Sequence, residues 1–130
     1  MNAENVLRTY KLADGWQAIV SNATRHYYGG YFHVRLHVAA EVALSAEWFE
    51  SQIVYEDALR RLGNPVTFKR VLEKMAVPDS EIDSVLQDLI SAFETNLVPY
   101  LLRPDFPRRF VISEYAKALK SSASFRVGQP

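Results

Sequence analysis

The sequence contains no cysteine and carries no net charge. Without cysteine, its 130 residues can form no disulfide, no thiolate nucleophile and no cysteine-ligated zinc or iron–sulfur site. Fifteen Lys and Arg residues balance fifteen Asp and Glu residues, so no overall field attracts a polyanion such as DNA. Zero net charge therefore argues against a dedicated nucleic-acid-binding protein, while leaving room for a local basic patch.

Long apolar runs are also missing. No run approaches the about 20 residues that a membrane-spanning helix requires. The opening stretch MNAENVLRTYKLADG lacks the basic and apolar regions of a secretory signal. These absences favour a cytoplasmic protein with no membrane partner.

The motifs that position catalytic groups and cofactors are absent as well. The sequence has no G-x-S-x-G nucleophile turn and no glycine-rich phosphate loop of either common type. We therefore expect no cofactor and assign no catalytic residue. A non-enzymatic protein is favoured, and an enzyme with an unfamiliar site stays open.

The first part of the chain alternates apolar and polar residues with the period of a β-strand. Strands on either side of Asp14 and Gly15 predict a hairpin. A three-residue loop with Gly15 in the left-handed conformation sets Tyr10 opposite Ala18 and keeps the apolar residues on one face.

The clearest alternation runs over residues 32–44 and predicts one long, half-buried strand. Its apolar side carries Phe32, Val34, Leu36, Val38, Ala40, Val42 and Leu44. Its polar side, which includes three aligned basic and imidazole side chains, is expected to face water. Gly29 and Gly30 just before it predict a turn, with a close approach to a ligand as the alternative.

The second half changes to helical spacing. A short helix is predicted to end at Gly63, a long one to cover 80–98 and end near Pro99, and another to cover 108–119. Residues 65–76 fit a helix or a strand; the choice is open, with the helix preferred.

These elements predict an α+β fold. An N-terminal antiparallel sheet of three to four strands packs against a C-terminal set of three to four helices. The length is typical of one domain, which we place at residues 1–120. The small, polar residues 121–130 predict a flexible C-terminal tail.

The candidate binding residues are aromatic, basic or imidazole side chains in three groups. They are Arg25, Tyr28, His33, Arg35 and His37 around the long strand, the pair Trp48 and Phe49, and the pair Arg108 and Arg109. No metal site is expected, because strand spacing separates the α-carbons of His33 and His37 by about 13 Å at ~3.3 Å per residue. Two imidazoles that far apart do not share one ion.

Together these features predict a small binding or regulatory module that acts through protein–protein contacts. Its partner is a second copy in a homodimer or another protein. The alternative is a nucleic-acid or nucleotide-binding domain that uses the polar face of the 32–44 strand.

Overall fold

The computed structural model describes the backbone of residues 5–127, with side chains for residues 5–13 and 15–122. Two compact units divide the chain. The first unit combines Met1–Ala40 with Phe68–Arg103, and the second combines Glu41–Thr67 with Pro104–Pro130. The prediction of one domain over 1–120 stays a prediction.

Five strands and four helices make up the described chain. They are β1 (Val6–Lys11), β2 (Gln17–Asn22), β3 (Arg25–Tyr28), β4 (Tyr31–Val42), α1 (Gln52–Leu62), β5 (Val66–Pro78), α2 (Ile82–Asn96), α3 (Val98–Leu101) and α4 (Phe106–Val127). The strands form one antiparallel sheet. The predicted α+β class is confirmed, and the sheet has one more strand than the predicted upper number.

The β1–β2 hairpin has the predicted register. Tyr10 pairs with Ala18, and Gly15 in the connecting loop has a φ of 79°. Glycine suits that position because it adopts left-handed backbone angles without a side-chain clash. This register places Tyr10 on the same side of the sheet as the buried Ala18 and Val20.

β2 and β3 follow each other along β4 in one register. Ala18 pairs with Ala40 and, further along, Arg25 pairs with His33 without a change of register. Between the two strands, Thr24 Oγ1 accepts a hydrogen bond from the Arg35 amide at 3.3 Å. A side-chain oxygen therefore accepts this hydrogen bond in place of a backbone carbonyl at the interruption between the two strands. β2 and β3 pair with β4 as one continuous strand would.

β5 corrects the preference for a helix over 65–76. The segment is extended and pairs with β4, in keeping with β-branched residues such as Val66, Thr67 and Val71. Its burial is confined to its ends, where Phe68 and Val77 are 1% exposed. Phe68 has an even number and Val77 an odd one, so a regular alternation would bury only one of them. Both are buried because Ala76, with a φ of 56°, breaks the alternation between them.

The first unit buries one face of its sheet against α2. Phe93 of α2 meets the Tyr10 ring edge-on at 5.1 Å between centroids, which places the helix on the predicted apolar face of β4. α2 ends at Asn96, three residues before Pro99, as predicted. The apolar residues buried in this unit are Leu12, Ala18, Val20, Val34, Leu36, Val38, Ala40, Phe68, Val77, Val85, Leu86, Ile90, Phe93 and Leu101.

The second unit contains α1 and α4. The Ser51 hydroxyl caps α1 by accepting a hydrogen bond from the Val54 amide at 3.2 Å. Gly63, with a φ of 77°, ends the helix as predicted. The apolar residues buried in this unit are Val42, Leu44, Ala58, Val66, Phe106 and Val111.

α4 is longer than the predicted helix over 108–119. Its backbone continues to Val127 and so includes the first part of the predicted tail; residues 128–130 lie outside the described residues. The flexibility of 121–130 stays a prediction. Within the described chain, α4 and the other helices are too short or too polar to span a bilayer.

Candidate functional site

The predicted site residues of β3 and β4 lie on the sheet face opposite α2. Arg25 pairs with His33 across the two strands, and His33, Arg35 and His37 alternate along β4 on the same side. On β5, Glu73 contacts this side of the sheet. Because every second residue of a strand lies on the same side, Val71 and Met75 lie on this side too. We call this surface the open face: Arg25, Tyr31, His33, Arg35, His37, Val71, Glu73 and Met75.

Glu73 binds two of the predicted residues. His33 Nε2 donates a hydrogen bond to Glu73 Oε1 at 2.7 Å, and Arg35 Nε lies 3.7 Å from the same oxygen. His33 is only 9% exposed. The prediction that this side faces water is therefore wrong for His33, whereas His37 is exposed. The physical reason is β5, which supplies a carboxylate where the sequence showed no neighbour.

The end of the β3–β4 hairpin is an exposed segment that is rich in tyrosine. Residues 25–31, which we call the aromatic hairpin, are all exposed. They include Tyr27, Tyr28 and Tyr31, which are 53%, 75% and 47% exposed. Among the parts of the chain that the structure describes, none of the three hydroxyls forms a hydrogen bond. Their rings and hydroxyls are therefore available for contacts outside the chain.

The backbone beneath these rings is held in place. His26 Nε2 donates to the Gly29 carbonyl at 2.6 Å, and the His26 ring meets Phe32 edge-on at 5.4 Å between centroids. The Asp79 amide donates to the Gly30 carbonyl at 3.2 Å. The turn predicted at Gly29 and Gly30 is confirmed, and these contacts attach it to its own strands and to the end of β5.

Comparisons with known proteins add no assignment to this surface. No family model, curated protein or solved structure matches the chain. The chemistry of the hairpin and the open face is therefore the basis for assigning them a function.

Trp48 and Phe49, two of the predicted binding residues, lie in the second unit. Both are half-buried. The Phe49 ring contacts Tyr55 and Tyr115 at centroid distances of 5.8 and 5.9 Å. These contacts give Phe49 a packing role inside its own unit, and they favour core capping over an interface.

Arg108 and Arg109 lie in the first turn of α4 and are exposed. Arg109 pairs with Asp105 at 3.4 Å, one turn earlier. An exposed pair of this kind contributes little to stability or recognition. The two arginines belong to the second unit and lie in a different unit from the predicted residues of β3 and β4.

An open groove of about 580 Å³ in the second unit was not predicted. Ile53, Asp57, Arg60 and Tyr115 are among its lining residues. Tyr115 donates to Asp57 Oδ2 at 2.6 Å, and Arg60 and Arg61 pair with the same carboxylate. The only sequence signal was the spacing of Asp57 from the two arginines, which is common on exposed helices.

The groove does not have the electrostatics of an acid–base site. The hydrogen bond from Tyr115, followed by that from Arg61, lowers the pKa of Asp57. The same Asp57 bond, followed by burial, raises the pKa of Tyr115. A general base needs a pKa near neutrality and an activated phenol needs a lowered one, so neither pKa is shifted towards these roles. The pair instead joins α1 to α4.

Metal binding has no geometric support among the described residues. Nowhere in that part of the chain do three His, Asp or Glu side chains converge on one point. His33, the most buried of the three histidines, already uses Nε2 for Glu73. Sequence reasoning missed Glu73, Tyr27 and Tyr31. The tyrosines were visible in the run RHYYGGY, whereas Glu73 had no local signal.

Proposed function

We propose that this protein is a non-enzymatic binding module that recognises another protein through its aromatic hairpin and the adjoining open face. The observation that carries the proposal is the exposure of Tyr27, Tyr28 and Tyr31 on a hydrogen-bonded turn. Tyrosine is enriched at binding hot spots because a large amphipathic ring becomes ordered at low entropic cost.

The hydrogen-bonded backbone of this turn supports the same proposal. A partner that binds a turn already held by His26 and Asp79 orders only side chains, and this lowers the entropic cost of association. The exposed Val71 and Met75, at 46% and 49%, add apolar surface on the open face. Exposed aromatic rings and aliphatic groups such as these are typical of the centre of a protein interface.

The charges favour a protein over a nucleic acid. Glu73 lies between His33 and Arg35 on the open face, where its carboxylate would repel a phosphate and already contacts both side chains. Arg25 is the remaining arginine of this surface, and it has no ion pair with the side chains of residues 5–13 and 15–122. One cation among tyrosine rings suits a peptide segment that carries a carboxylate beside apolar side chains.

Peptide selection on phage tests this proposal. A random-peptide library is selected on the wild-type protein, and enriched peptides are then titrated against Tyr28→Ser. The control is Ile53→Ser, because Ile53 is 78% exposed, close to the 75% of Tyr28, but lies on α1. We expect enriched peptides with an acidic residue beside apolar ones, and a loss of about tenfold or more in affinity for Tyr28→Ser alone.

Two outcomes contradict the proposal. The first is a failure to enrich peptides, or peptides that lose affinity for Ile53→Ser and not for Tyr28→Ser. The second concerns single-stranded RNA: binding that falls steeply with salt and is lost in Arg25→Ala would support the nucleic-acid alternative, because phosphate contacts make affinity salt-dependent.

A further inference from the structure

β5 is an outer strand of the sheet. Within the described chain it pairs with β4 alone, and at 13 residues it is more than twice as long as a usual strand of about five or six. Residues 69–71 and 73–76 are exposed. Its outer edge therefore offers backbone N–H and C=O groups to another strand.

We propose that two copies of this chain form a dimer by antiparallel pairing of their β5 edges, with the two-fold axis at Val71. In this register Lys69 lies opposite Glu73 of the partner subunit, and Glu73 lies opposite Lys69 of the partner subunit. Two attractive charge pairs therefore flank the axis, one on each side. Opposite charges at facing positions stabilise a pair of strands.

The charges of β5 disfavour the neighbouring two-fold registers. An axis at Lys69, Arg70, Glu73 or Lys74 places like charges directly opposite each other, because each residue then faces its own copy. An axis at Leu72 places Arg70 opposite Lys74 of the partner subunit. Like charges at facing positions destabilise the pairing, so the axis at Val71 is the register that this pattern selects.

The side chains around the axis are free to make these contacts. Val71 is 46% exposed and would meet Val71 of the partner subunit on the open face, removing apolar surface from water. Glu73 uses Oε1 for His33 and Arg35. Its Oε2 has no hydrogen bond among the residues that the structure describes, and this oxygen can accept one from a lysine.

The dimer extends the binding surface without requiring the hairpin to bind anything. Residues that face each other in antiparallel strands lie on the same side of the sheet, so the open faces of both copies would lie on one side. The aromatic hairpin of each copy stays exposed, because it is formed by β3 and β4. The dimer and the proposed function can therefore fail independently.

Charge reversal tests the register. The mass in solution is measured by light scattering and sedimentation equilibrium for wild type, Lys69→Glu, Glu73→Lys and an equimolar mixture of the two variants. A dimer of either variant alone has like charges at both pairs of positions 69 and 73. A mixed dimer of the two variants has opposite charges at both pairs. Lys11→Glu is the matched control, because Lys11 is an exposed strand lysine on β1.

We expect the wild type and Lys11→Glu to reach twice the chain mass of 14.8 kDa. Each single variant is expected to weaken dimerisation by about tenfold or more, and the mixture to recover it. Glu73→Lys also removes the His33 contact, so Val71→Asp gives a second test by placing two carboxylates at the axis. It should be monomeric while its circular dichroism stays native.

Three results overturn the proposal. A wild type that stays monomeric up to its solubility limit excludes the dimer. A dimer that Lys69→Glu and Val71→Asp leave unchanged uses another surface. A mixture of the two charge variants that remains monomeric, although both are folded, excludes the register.

Discussion

Replacement of Tyr10 by phenylalanine isolates one contact between the sheet and α2. The Tyr10 hydroxyl donates to Glu94 Oε2 at 2.8 Å, and its ring meets Phe93 edge-on. Burial, followed by the Glu94 bond and charge, raises the pKa of Tyr10 from 10.0 to about 12. Tyr10→Phe keeps the ring contact and removes the hydroxyl together with its titration.

The pKa shift of Tyr10 sets an upper limit on how much the free energy of unfolding changes with pH. Two pH units correspond to about 2.7 kcal/mol at 1.36 kcal/mol per unit. Burial, the largest cause of the shift, penalises the phenolate and does not stabilise the neutral hydroxyl. Glu94 is exposed and Tyr10 is half-buried, so the part that comes from the Glu94 contact is about 1 kcal/mol after solvent screening. The unfolded phenol loses its proton first, near pH 10. The stabilisation is therefore complete below pH 10 and is lost as the pH rises towards 12.

Urea unfolding of wild type and Tyr10→Phe from pH 8 to pH 11.5 measures this difference. We expect the wild type to be more stable by about 1 kcal/mol at pH 8, and the gap to narrow above pH 10. Tyr31→Phe, at an exposed tyrosine, serves as the control and should show no gap. A gap that is independent of pH, or a Tyr10 phenol that titrates with the exposed tyrosines in ultraviolet absorbance, would refute the reasoning.

Three further substitutions test the packing and the backbone. Phe93→Ala should cost about 3–5 kcal/mol in urea unfolding, because Phe93 is fully buried in the first unit; a loss under ~1 kcal/mol would contradict the position of α2. Ala76→Gly should be neutral or stabilising by up to about 1 kcal/mol, whereas Ala76→Val should destabilise, because a branched side chain resists the φ of 56°. Ser51→Ala should cost about 1 kcal/mol by removing the cap of α1; an unchanged thermal midpoint would contradict the cap.

The sequence predicted elements whose signals are local. The alternation along β4 identified the strand because one of its sides is buried throughout, from Val34 to Val42. Gly63 marked the end of α1, since few other residues adopt its backbone angles. The β1–β2 register followed from the need to keep Tyr10 and Ala18 on one face.

β5 and its carboxylate were not predictable in the same way. Only the ends of β5 are buried, so its middle lacks the alternation that identifies a strand, and Ala76 reverses the pattern before Val77. The partner of His33 lies 40 residues away in sequence. A contact over that distance depends on the pairing of β4 with β5, which no spacing within 65–76 revealed.

The left-handed Ala76 sets the phase between the two halves of β5. Because the alternation breaks at this residue, Glu73 can reach His33 while Val77, four positions later, enters the interior. If the alternation continued without a break through Ala76, residues four positions apart would lie on the same side of the strand, and the two side chains could not both keep their places. Either the aliphatic group would move to solvent or the acid would turn inward, so both contacts depend on the backbone conformation of this single residue.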